Sequence, residues 1–392
     1  MKTEDRSQQI EADICVMGAG MVGAAVACAM ADKGFKVAVV EPFMPEEYHA
    51  SQAPDLRMSA LNKHSIDLLQ DLGAYEHILQ MRYRDYDCLQ VWEDEFAKTS
   101  FSASDIGESK LGIFAENRII QLALLKCFRL QYAESIQVFP HKAKHIDIKT
   151  GTLQLDNDVS IKSALIVGAD GANSQVRRSA AIGQTGWDYE QLANLILIET
   201  SERLPDTTWQ QFTPSGPLAC LPMHDNYACL VWYANASASA ELNGANLQTL
   251  KQMIEVSFPP LLGDFSVLEH ANFPLRRAHA NQYWRSKAVL IGDAAHTINP
   301  LAGQGVNLGF KDVAALADAL ERYGLDDLKS SLTSYEKARR HQNLLMMSSM
   351  DVLYSVFSNK IGPLKLVRNI ALGAAQHAGP VKNMALKYAM GI

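Results

Sequence analysis

The sequence predicts a mixed α/β fold in which a parallel βαβ core is interrupted by an antiparallel sheet and followed by a helical segment. A buried strand at residues 12–17 leads through a glycine-rich turn into a helix, and residues 35–40 supply a second strand. Apolar and polar residues alternate within 184–275, which is typical of an antiparallel sheet. Residues 329–357 and 363–390 have helical character.

Composition excludes several classes of protein. The 392 residues carry a formal net charge of −7 and are 48% hydrophobic, which predicts a globular protein and argues against a nucleic-acid partner. The N-terminus is polar and no run of about 18 apolar residues occurs, so we expect neither a signal peptide nor a membrane span. The six cysteines form no CxxC pair, and no His, Cys and carboxylate cluster has metal-ligand spacing. We therefore expect a cytoplasmic protein with reduced thiols and no metal.

The turn after the first strand, Gly18-Ala19-Gly20-Met21-Val22-Gly23, fits the pattern GxGxxG. Gly18 permits the tight turn, Gly20 lets the backbone approach a pyrophosphate, and Gly23 lets helix and strand pack closely. The backbone N–H groups of Met21, Val22 and Gly23 open the helix and suit a phosphate. Glu41 ends the second strand, where an acid accepts from ribose hydroxyls and repels a 2′-phosphate. These residues predict a Rossmann-like site for FAD or NAD.

Two further segments repeat the order strand, Gly-Asp turn, helix. The first runs from Leu165 to Arg177 and contains Asp170; Arg177 is assigned equally to a nucleotide phosphate or to a structural ion pair. In the second, which spans 288–307, Asp293 could accept hydrogen bonds from a sugar-alcohol chain, and His296 is assigned a structural role. A helix starting near Val306 would direct its N–H groups at an electron-rich ring.

The three motifs GxGxxG, GADGANSxVR and GDAAHxxxPxxGQGxN together resemble the single-component aromatic hydroxylases with the fold of p-hydroxybenzoate hydroxylase. The stretches Asp55–Asn62 and Phe273–Arg277 are similar to ubiquinone-biosynthesis FAD-dependent hydroxylases, and so are Thr208–Thr213 and the tail Met350–Asn359. The resemblance covers nearly the whole chain. It implies a Rossmann-like FAD-binding domain with an inserted antiparallel β-sheet substrate domain and a helical C-terminal segment.

The resemblance also implies the cofactor and the site. FAD would be bound and NAD(P)H would be a transient co-substrate, since only one complete GxGxxG is present. Asp293 would match the acid on the ribityl chain, and the loop of Pro300 would lie beside the flavin. The residues of 288–307 that the resemblance implies for the cofactor site are Gly292, Asp293, Pro300, Gly303, Gly305, Val306 and Asn307. Arg57 and at least one of Asn117 and Arg118 would contact FAD, while Gln121 is a weaker candidate. No catalytic side chain is assigned, because the flavin performs the difficult step.

The implied activity is that of an FAD-dependent monooxygenase. It would hydroxylate a polyprenyl demethoxy-benzoquinol ring, using O2 through a flavin C4a-hydroperoxide. Trp209, Gln211 and Phe212 are candidates for the substrate pocket, with ordinary sheet packing as the equal alternative. Three other functions stay open: a hydroxylase of another ring position, a flavin-dependent reductase, and a nucleotide-binding structural partner in a quinone-synthesis complex.

The predicted domain boundaries follow the changes in pattern. The FAD-binding domain is assigned to 1–75, 111–183 and 276–340. The substrate domain is assigned to 76–110 and 184–275, and the C-terminal segment to 341–392.

The C-terminal segment, 341–392, combines positive charge with apolar residues. The segment is rich in Leu and Met and contains five basic residues but only one acid, Asp351. The basic residues are Lys360, Lys365, Arg368, Lys382 and Lys387. Such a helix suits peripheral contact with the inner membrane. Packing against the protein itself or against a partner is the equal alternative.

Overall fold

The computed structural model describes residues 9–298 and 305–357, together with 365, 368–370, 373–374, 376 and 379–390. The strands are β1 Gln9–Met17, β2 Val37–Val40, β3 Met58–Asn62, β4 Arg84–Tyr86, β5 Cys88–Trp92, β6 Thr99–Ser102, β7 Gly112–Glu116, β8 Ile136–Phe139, β9 Ala143–Asp147, β10 Thr152–Leu155, β11 Ser160–Gly168, β12 Gln184–Thr200, β13 Thr207–Gln211, β14 Leu218–Pro222, β15 Tyr227–Asn235, β16 Phe265–Ala280, β17 Trp284–Arg285, β18 Ala288–Leu290 and β19 His296–Thr297. The helices are α1 Met21–Asp32, α2 Lys63–Asp71, α3 Tyr75–Leu79, α4 Asn117–Leu130, α5 Gln175–Ser179, α6 Ala236–Gly244, α7 Leu247–Ser257, α8 Gly305–Tyr323, α9 Leu328–Phe357 and α10 Pro380–Met390.

The first sheet contains the parallel core. Its strand order is β17-β18-β11-β1-β2-β8, and β18, β11, β1, β2 and β8 all run parallel. The central strands are apolar and buried, as expected where helices cover a parallel sheet. The predicted βαβ unit and the α/β class are therefore confirmed.

The second sheet is the predicted antiparallel lobe. Its order is β19-β16-β12-β15-β14-β13-β5-β6, and every described pairing is antiparallel except that of β13 with β5. One face of this sheet packs against α6 and α7, through Leu242, Leu250 and Ile254. The alternation pattern did not predict these two helices. Their signals are the N-caps Asn235 and Asn246, whose side chains accept from the backbone N–H groups of the first turns.

The structure also has a small third sheet, which the sequence did not predict. It has the order β3-β7-β4 and is antiparallel. The helix α4 follows β7 directly, so this sheet sets where the N-terminus of α4 lies.

The described part of the C-terminal segment packs on the protein itself. Its basic side chains form ion pairs with acids of the β5–β6 region: Arg368 with Glu93, Lys365 with Asp94, and Lys382 with Asp105. Two apolar side chains of α10, Leu386 and Met390, pack with Ala103 and Leu111. The contact with the chain's own core is thus the alternative that the structure supports.

The close packing of α1 on the glycine turn generates a stability prediction. A Cβ at Gly23 would lie 2.1 Å from the carbonyl oxygen of Gly18, whereas a Cβ at Gly244, also helical, would meet no atom within 4 Å. We expect Gly23→Ala to lower the free energy of unfolding by about 1–3 kcal/mol, because backbone must move to relieve the overlap. Urea unfolding of the two variants measures this. Equal stability of Gly23→Ala and the control Gly244→Ala would contradict it.

Candidate functional site

The three predicted segments and Glu41 meet at one edge of the parallel sheet. Neighbouring strands β18, β11, β1 and β2 end side by side, with Gly168 opposite both Met17 and Leu290, and Met17 opposite Val40. Carboxyl ends of adjacent parallel strands form the crevice in which α/β proteins bind ligands. Segments far apart in the sequence therefore line one crevice.

The glycine-rich turn is shaped by close backbone contacts. Gly18 has φ of +95°, and a Cβ there would lie 2.5 Å from the carbonyl oxygen of Ala169, at the end of β11. A Cβ at Gly20 would meet nothing within 4 Å, so the turn is open on that side. No side chain caps α1, and Met21, Val22 and Gly23 occupy its first turn. Their N–H groups have no partner within the helix and suit a phosphate.

Glu41 holds the turn as well as facing the crevice. Its Oε2 accepts from the backbone N–H of Ala19 at 2.8 Å, and its Oε1 accepts from the N–H of Phe43 at 2.9 Å. An ionised carboxylate has about four acceptor positions, so capacity remains for ribose hydroxyls.

The second segment is folded around Asp170. Its Oδ2 accepts from the N–H groups of Gln175 and Val176, at 2.6 and 3.2 Å. Its Oδ1 is buried and has no hydrogen-bond partner among the residues that the structure describes. Arg177 donates to the carbonyl oxygens of Ala172 and Ala294, at 2.7 and 2.9 Å. Arg177 therefore joins the second and third segments and has a structural role.

Asp293 lies on a short 3-10 turn after β18, behind Gly292, whose φ is +55°. Water reaches its side chain, yet surrounding protein desolvates the carboxylate and raises its pKa, against the opposing effect of His296. The side chain thus lies in a cleft, where protein surrounds the carboxylate although one side of it is open to water. No described residue donates a hydrogen bond to this carboxylate.

A buried network fixes that turn from behind. The carboxylate of Asp312, on α8, accepts from the backbone N–H of Gly292 at 3.0 Å and from His296 Nε2 at 2.5 Å. Arg339 and Asn343, on α9, donate to its other oxygen at 2.8 and 3.0 Å. Burial raises the pKa of Asp312, but His296 and Arg339 outweigh it and lower that pKa to about 2. The predicted structural role of His296 agrees with this geometry.

The start of α8 is held against β3 and α2. Asn307 Oδ1 accepts from Ser65 Oγ at 2.6 Å and from the N–H of Asn62 at 3.1 Å, and its Nδ2 donates to Ala60 at 2.8 Å. These contacts occupy the Asn307 side chain, so its backbone is the part that can serve a ligand. Gly305 and Val306 form the first turn of α8. The predicted residues Pro300 and Gly303 lie outside the described residues.

The N-terminus of α4 borders the glycine turn. Gln121, the weaker candidate, donates from Nε2 to the carbonyl oxygen of Ala19 at 2.7 Å. Asn117 donates its N–H to the carbonyl oxygen of Arg57 at 2.9 Å, and its Oδ1 accepts from Ser59. Arg118 instead donates to the loop carbonyls of Glu46 and Glu47 and to Gln52. Of this pair, Asn117 keeps an amide group without a described partner.

The three candidate substrate-pocket residues lie on β13 or directly after it. Trp209 is buried on the helix-covered face of the second sheet, where its ring contacts Trp92 and Phe258. Gln211 shares that face, because strand residues two apart point the same way. Phe212 stacks on Phe357 of α9, with ring centroids 4.0 Å apart. These contacts favour the alternative of sheet packing for Trp209, and the pocket role of Trp209, Gln211 and Phe212 stays a prediction.

The crevice fits FAD on its own geometry. It offers an open glycine turn and the N-terminus of a long helix. Within the described part of the chain it also offers a buried oxygen of Asp170 and the carboxylate of Asp293 without hydrogen-bond partners. A dinucleotide with a sugar-alcohol chain and an electron-rich ring supplies partners for each. No group of three His, Cys, Asp or Glu side chains that could hold a metal occurs in the described part of the chain.

Comparison with known proteins gives the same cofactor. The family model described as FAD binding domain matches residues 11–348. The chain is 41% identical to the 3-demethoxyubiquinol 3-hydroxylase of Escherichia coli, over 97% of this chain and 98% of that protein. The chain belongs to the FAD binding domain family of flavin-dependent monooxygenases. It is also 33% identical to the ubiquinone hydroxylase UbiL of Rhodospirillum rubrum, over 97% of this chain and 90% of that protein.

Solved structures of this monooxygenase fold agree. A probable FAD-dependent monooxygenase from Pseudomonas aeruginosa superposes with a TM-score of 0.77 at 19% identity, covering 92% of this chain and 100% of that chain. The p-nitrophenol 4-monooxygenase of Pseudomonas putida gives 0.77 at 16% identity, covering 98% and 97%. At such identities the likeness concerns the fold alone.

The residues that sequence reasoning missed are those behind the FAD crevice. Asp312, Arg339 and Asn343 lie on α8 and α9 and belong to no motif of the family's three. The available signal was the charged pair Asp312 and Arg339 at apolar helix positions, where a charge needs a partner.

The network generates a stability prediction with a defined pH dependence. We expect Asp312→Asn to lower the free energy of unfolding by about 3–5 kcal/mol at pH 7, since Arg339 and His296 lose their buried partner. Because the pKa of Asp312 is lowered in the folded state from 3.8 to about 2, its contribution is fully present above 3.8 and is lost as pH falls towards about 2.

Denaturant unfolding at several pH values measures the difference between wild type and variant. The control is Asp158→Asn, which removes an exposed pair with Lys144 and should cost less than about 1 kcal/mol. A difference for Asp312→Asn that is as small as for the control, or that grows on acidification, would contradict the prediction.

Proposed function

We propose that the chain hydroxylates the ring of a polyprenyl demethoxy-benzoquinol, with FAD as cofactor and NAD(P)H and O2 as co-substrates. The single observation that carries this is the 41% identity over 97% of the chain to a 3-demethoxyubiquinol 3-hydroxylase, combined with an intact FAD crevice. One oxygen atom would enter the ring and the other would leave as water, with two electrons supplied by NAD(P)H.

The proposed FAD contacts follow the four strand ends. Gly18, Gly20 and the N–H groups of Met21, Val22 and Gly23 would bind the pyrophosphate, and Glu41 would accept from the adenosine ribose. Asp170, Gly292 and Asp293 would line the middle of the cofactor. The remaining proposed contacts are Arg57, Asn117, Arg118, Gly305, Val306, Asn307 and the loop of Pro300 and Gly303.

When bound, FAD supplies the transfer of electrons from NAD(P)H to O2. The chain's own residues orient and shield the reactants. The N–H groups that begin α8 would stabilise negative charge on the ring, as helix N-termini do for developing anions. The apolar surroundings would exclude water. This exclusion would protect the reduced oxygen species, which is lost as peroxide when water reaches it.

The substrate surface is proposed on the sheet face opposite α6 and α7. Cross-strand neighbours Leu195 and Val231, with Leu221 on the next strand, are half-buried on that face. Leu197 and Cys229 pack there with Leu56, from the loop that also carries Arg57. A flat apolar surface beside the flavin suits a prenylated quinol ring.

Peripheral contact with the inner membrane, a cytoplasmic location and membership of a ubiquinone-biosynthesis complex stay predictions. None of the described helices is long and apolar enough to cross a membrane. The ion pairs of Lys365, Arg368 and Lys382 reduce the charge available for lipid. Exposed apolar side chains of α9 favour some contact beyond the chain: Leu344, Leu345, Val352 and Val356.

The domain boundaries are also a proposal. The strands of the parallel sheet fall within 1–75, 111–183 and 276–340, and most of the second sheet falls within 76–110 and 184–275. Two strands depart from this division: β16 runs on to Ala280, and β19 pairs with it from His296.

The activity generates a prediction for the purified holoenzyme. With NAD(P)H, O2 and a short-chain demethoxy-ubiquinol, we expect one hydroxylated quinol for each O2 consumed, because the shielded site couples reduction to oxygen transfer. Mass spectrometry of the quinone and an oxygen electrode give the two quantities.

The control substrate is the corresponding polyprenylphenol, which lacks the other ring substituents. Hydroxylation of that phenol in preference to the demethoxy-quinol would move the activity to another ring position. Oxidation of NAD(P)H with no oxygen in the product would show a reductase and contradict the proposal.

A further inference from the structure

The loop between β2 and β3 is anchored by a buried ion pair outside the motifs. Arg82 Nη2 lies 2.9 Å from Glu116 Oε2, and the two side chains are 6% and 3% exposed. Arg82 lies just before β4, and Glu116 is the last residue of β7. The pair is thus fixed to the small third sheet.

Both members of the pair hold the loop by its backbone. Arg82 Nη1 donates to the carbonyl oxygen of Gln52 at 2.6 Å. Glu116 Oε2 also accepts from the backbone N–H of Asp55 at 2.8 Å. The loop is therefore fixed at two points, one on each side of Pro54, with Arg57 two residues beyond the second.

The next residues of the loop are fixed by other partners. Leu56 is buried among Leu197, Met223 and Cys229 of the second sheet. The Arg57 carbonyl accepts from Asn117 at the start of α4, while the Arg57 side chain is exposed and has no ion-pair partner among the described residues. The backbone of Arg57 is thus defined, and its guanidinium is left for a ligand.

The pair is costly to bury. Burial raises the pKa of Glu116, against the Asp55 N–H and Arg82, and two of the pair's polar atoms, Glu116 Oε1 and Arg82 Nε, have no described partner. A small open pocket adjoins the pair and is also lined by Met223 and His224, next to the second sheet. A buried ion pair of this kind is weak evidence for stability and fits a positioning role better.

We propose that Arg82 and Glu116 are positioning residues for FAD: they hold the 52–57 loop so that the Arg57 guanidinium faces the cofactor. The inference rests on the proposed contact between Arg57 and FAD. In this proposal neither residue contacts the cofactor, and each acts through the loop backbone alone.

The test compares two buried Arg–Glu pairs. Glu116→Gln removes the acidic charge of the positioning pair. Glu93→Gln removes the acidic charge of a second pair, which Glu93 forms with Arg368 next to β5. The Arg368 and Glu93 side chains are 5% and 3% exposed, so this pair is equally buried. Dilution of each purified holoenzyme, followed by flavin fluorescence, gives the FAD dissociation constant. We expect Glu116→Gln to bind FAD about tenfold more weakly than the wild type, and Glu93→Gln to bind it with unchanged affinity.

Arg57→Ala and the double variant Arg57→Ala with Glu116→Gln identify the route of the effect. We expect Arg57→Ala to weaken FAD binding by about 10- to 100-fold, and the double variant to match it, because the pair acts only through Arg57. The visible circular dichroism of the bound flavin should change alike in Glu116→Gln and Arg57→Ala. Additive losses in the double variant, or an equal loss in Glu93→Gln, would overturn the inference.

Failure of the inference and failure of the proposed contact are distinguishable. If Arg57→Ala retains wild-type FAD affinity while the holoenzyme stays loaded and active, the contact of Arg57 is wrong and the inference falls with it. If Arg57→Ala weakens binding and Glu116→Gln does not, only the positioning role is overturned.

Discussion

The geometry of the crevice depends on a single buried carboxylate, that of Asp312. One of its oxygens accepts from the backbone of Gly292 and from His296, and the other from two side chains of α9. The carboxylate therefore joins the Gly-Asp turn after β18 to α8 and α9. Because α8 begins at the crevice, the same contact sets both the turn that carries Asp293 and the helix N-terminus beside it.

The position of α1 is set by the packing of Val22 against Gly309 of α8. A Cβ at Gly309 would lie 2.5 Å from Val22 Cγ2, so α8 approaches α1 more closely than a larger residue would allow. Val22 also lies next to Gly292. The first and third motifs are therefore in direct contact, and a shift of either helix would change the width of the crevice.

Two kinds of charged group occur in the site: those that hold the backbone and those that are proposed to contact the cofactor. Charged groups that hold the backbone are buried and have partners: Asp312, Arg82 and Glu116 form ion pairs, and Arg177 donates to two backbone carbonyls. Groups proposed to meet the cofactor lack such partners among the described residues, as with Asp293 and one oxygen of Asp170. The paired charges fix the position of the unpaired ones, which is how a site keeps its shape before a ligand binds.

The sequence predicted the features that depend on local chain geometry. A glycine motif between strand and helix, with Glu41 at the next strand end, fixes its own neighbourhood, and three such strand ends must share an edge in a parallel sheet. The βαβ unit, the antiparallel lobe and the long helix α9 follow from short-range patterns of this kind.

Features that depend on long-range pairing were not predictable. His296 and Arg339 meet Asp312 through tertiary packing, and no spacing in the chain announces it. The alternation in β13 defines two faces of the strand but does not say which face α7 covers. The sequence therefore could not decide whether the Trp209 side chain packs in the core. The ion pairs of the basic residues in the C-terminal segment were not predictable either, because their partners, such as Glu93, are distant in the sequence.

Four neighbouring strand ends form the crevice in which we place FAD. A crystal structure of the FAD complex would test this placement. We predict the adenosine ribose within hydrogen-bond distance of Glu41, the ribityl chain at Asp293 and the isoalloxazine ring at the N-terminus of α8. FAD bound elsewhere, or with its ring remote from α8 and from the apolar face that carries Leu195 and Val231, would contradict the claim.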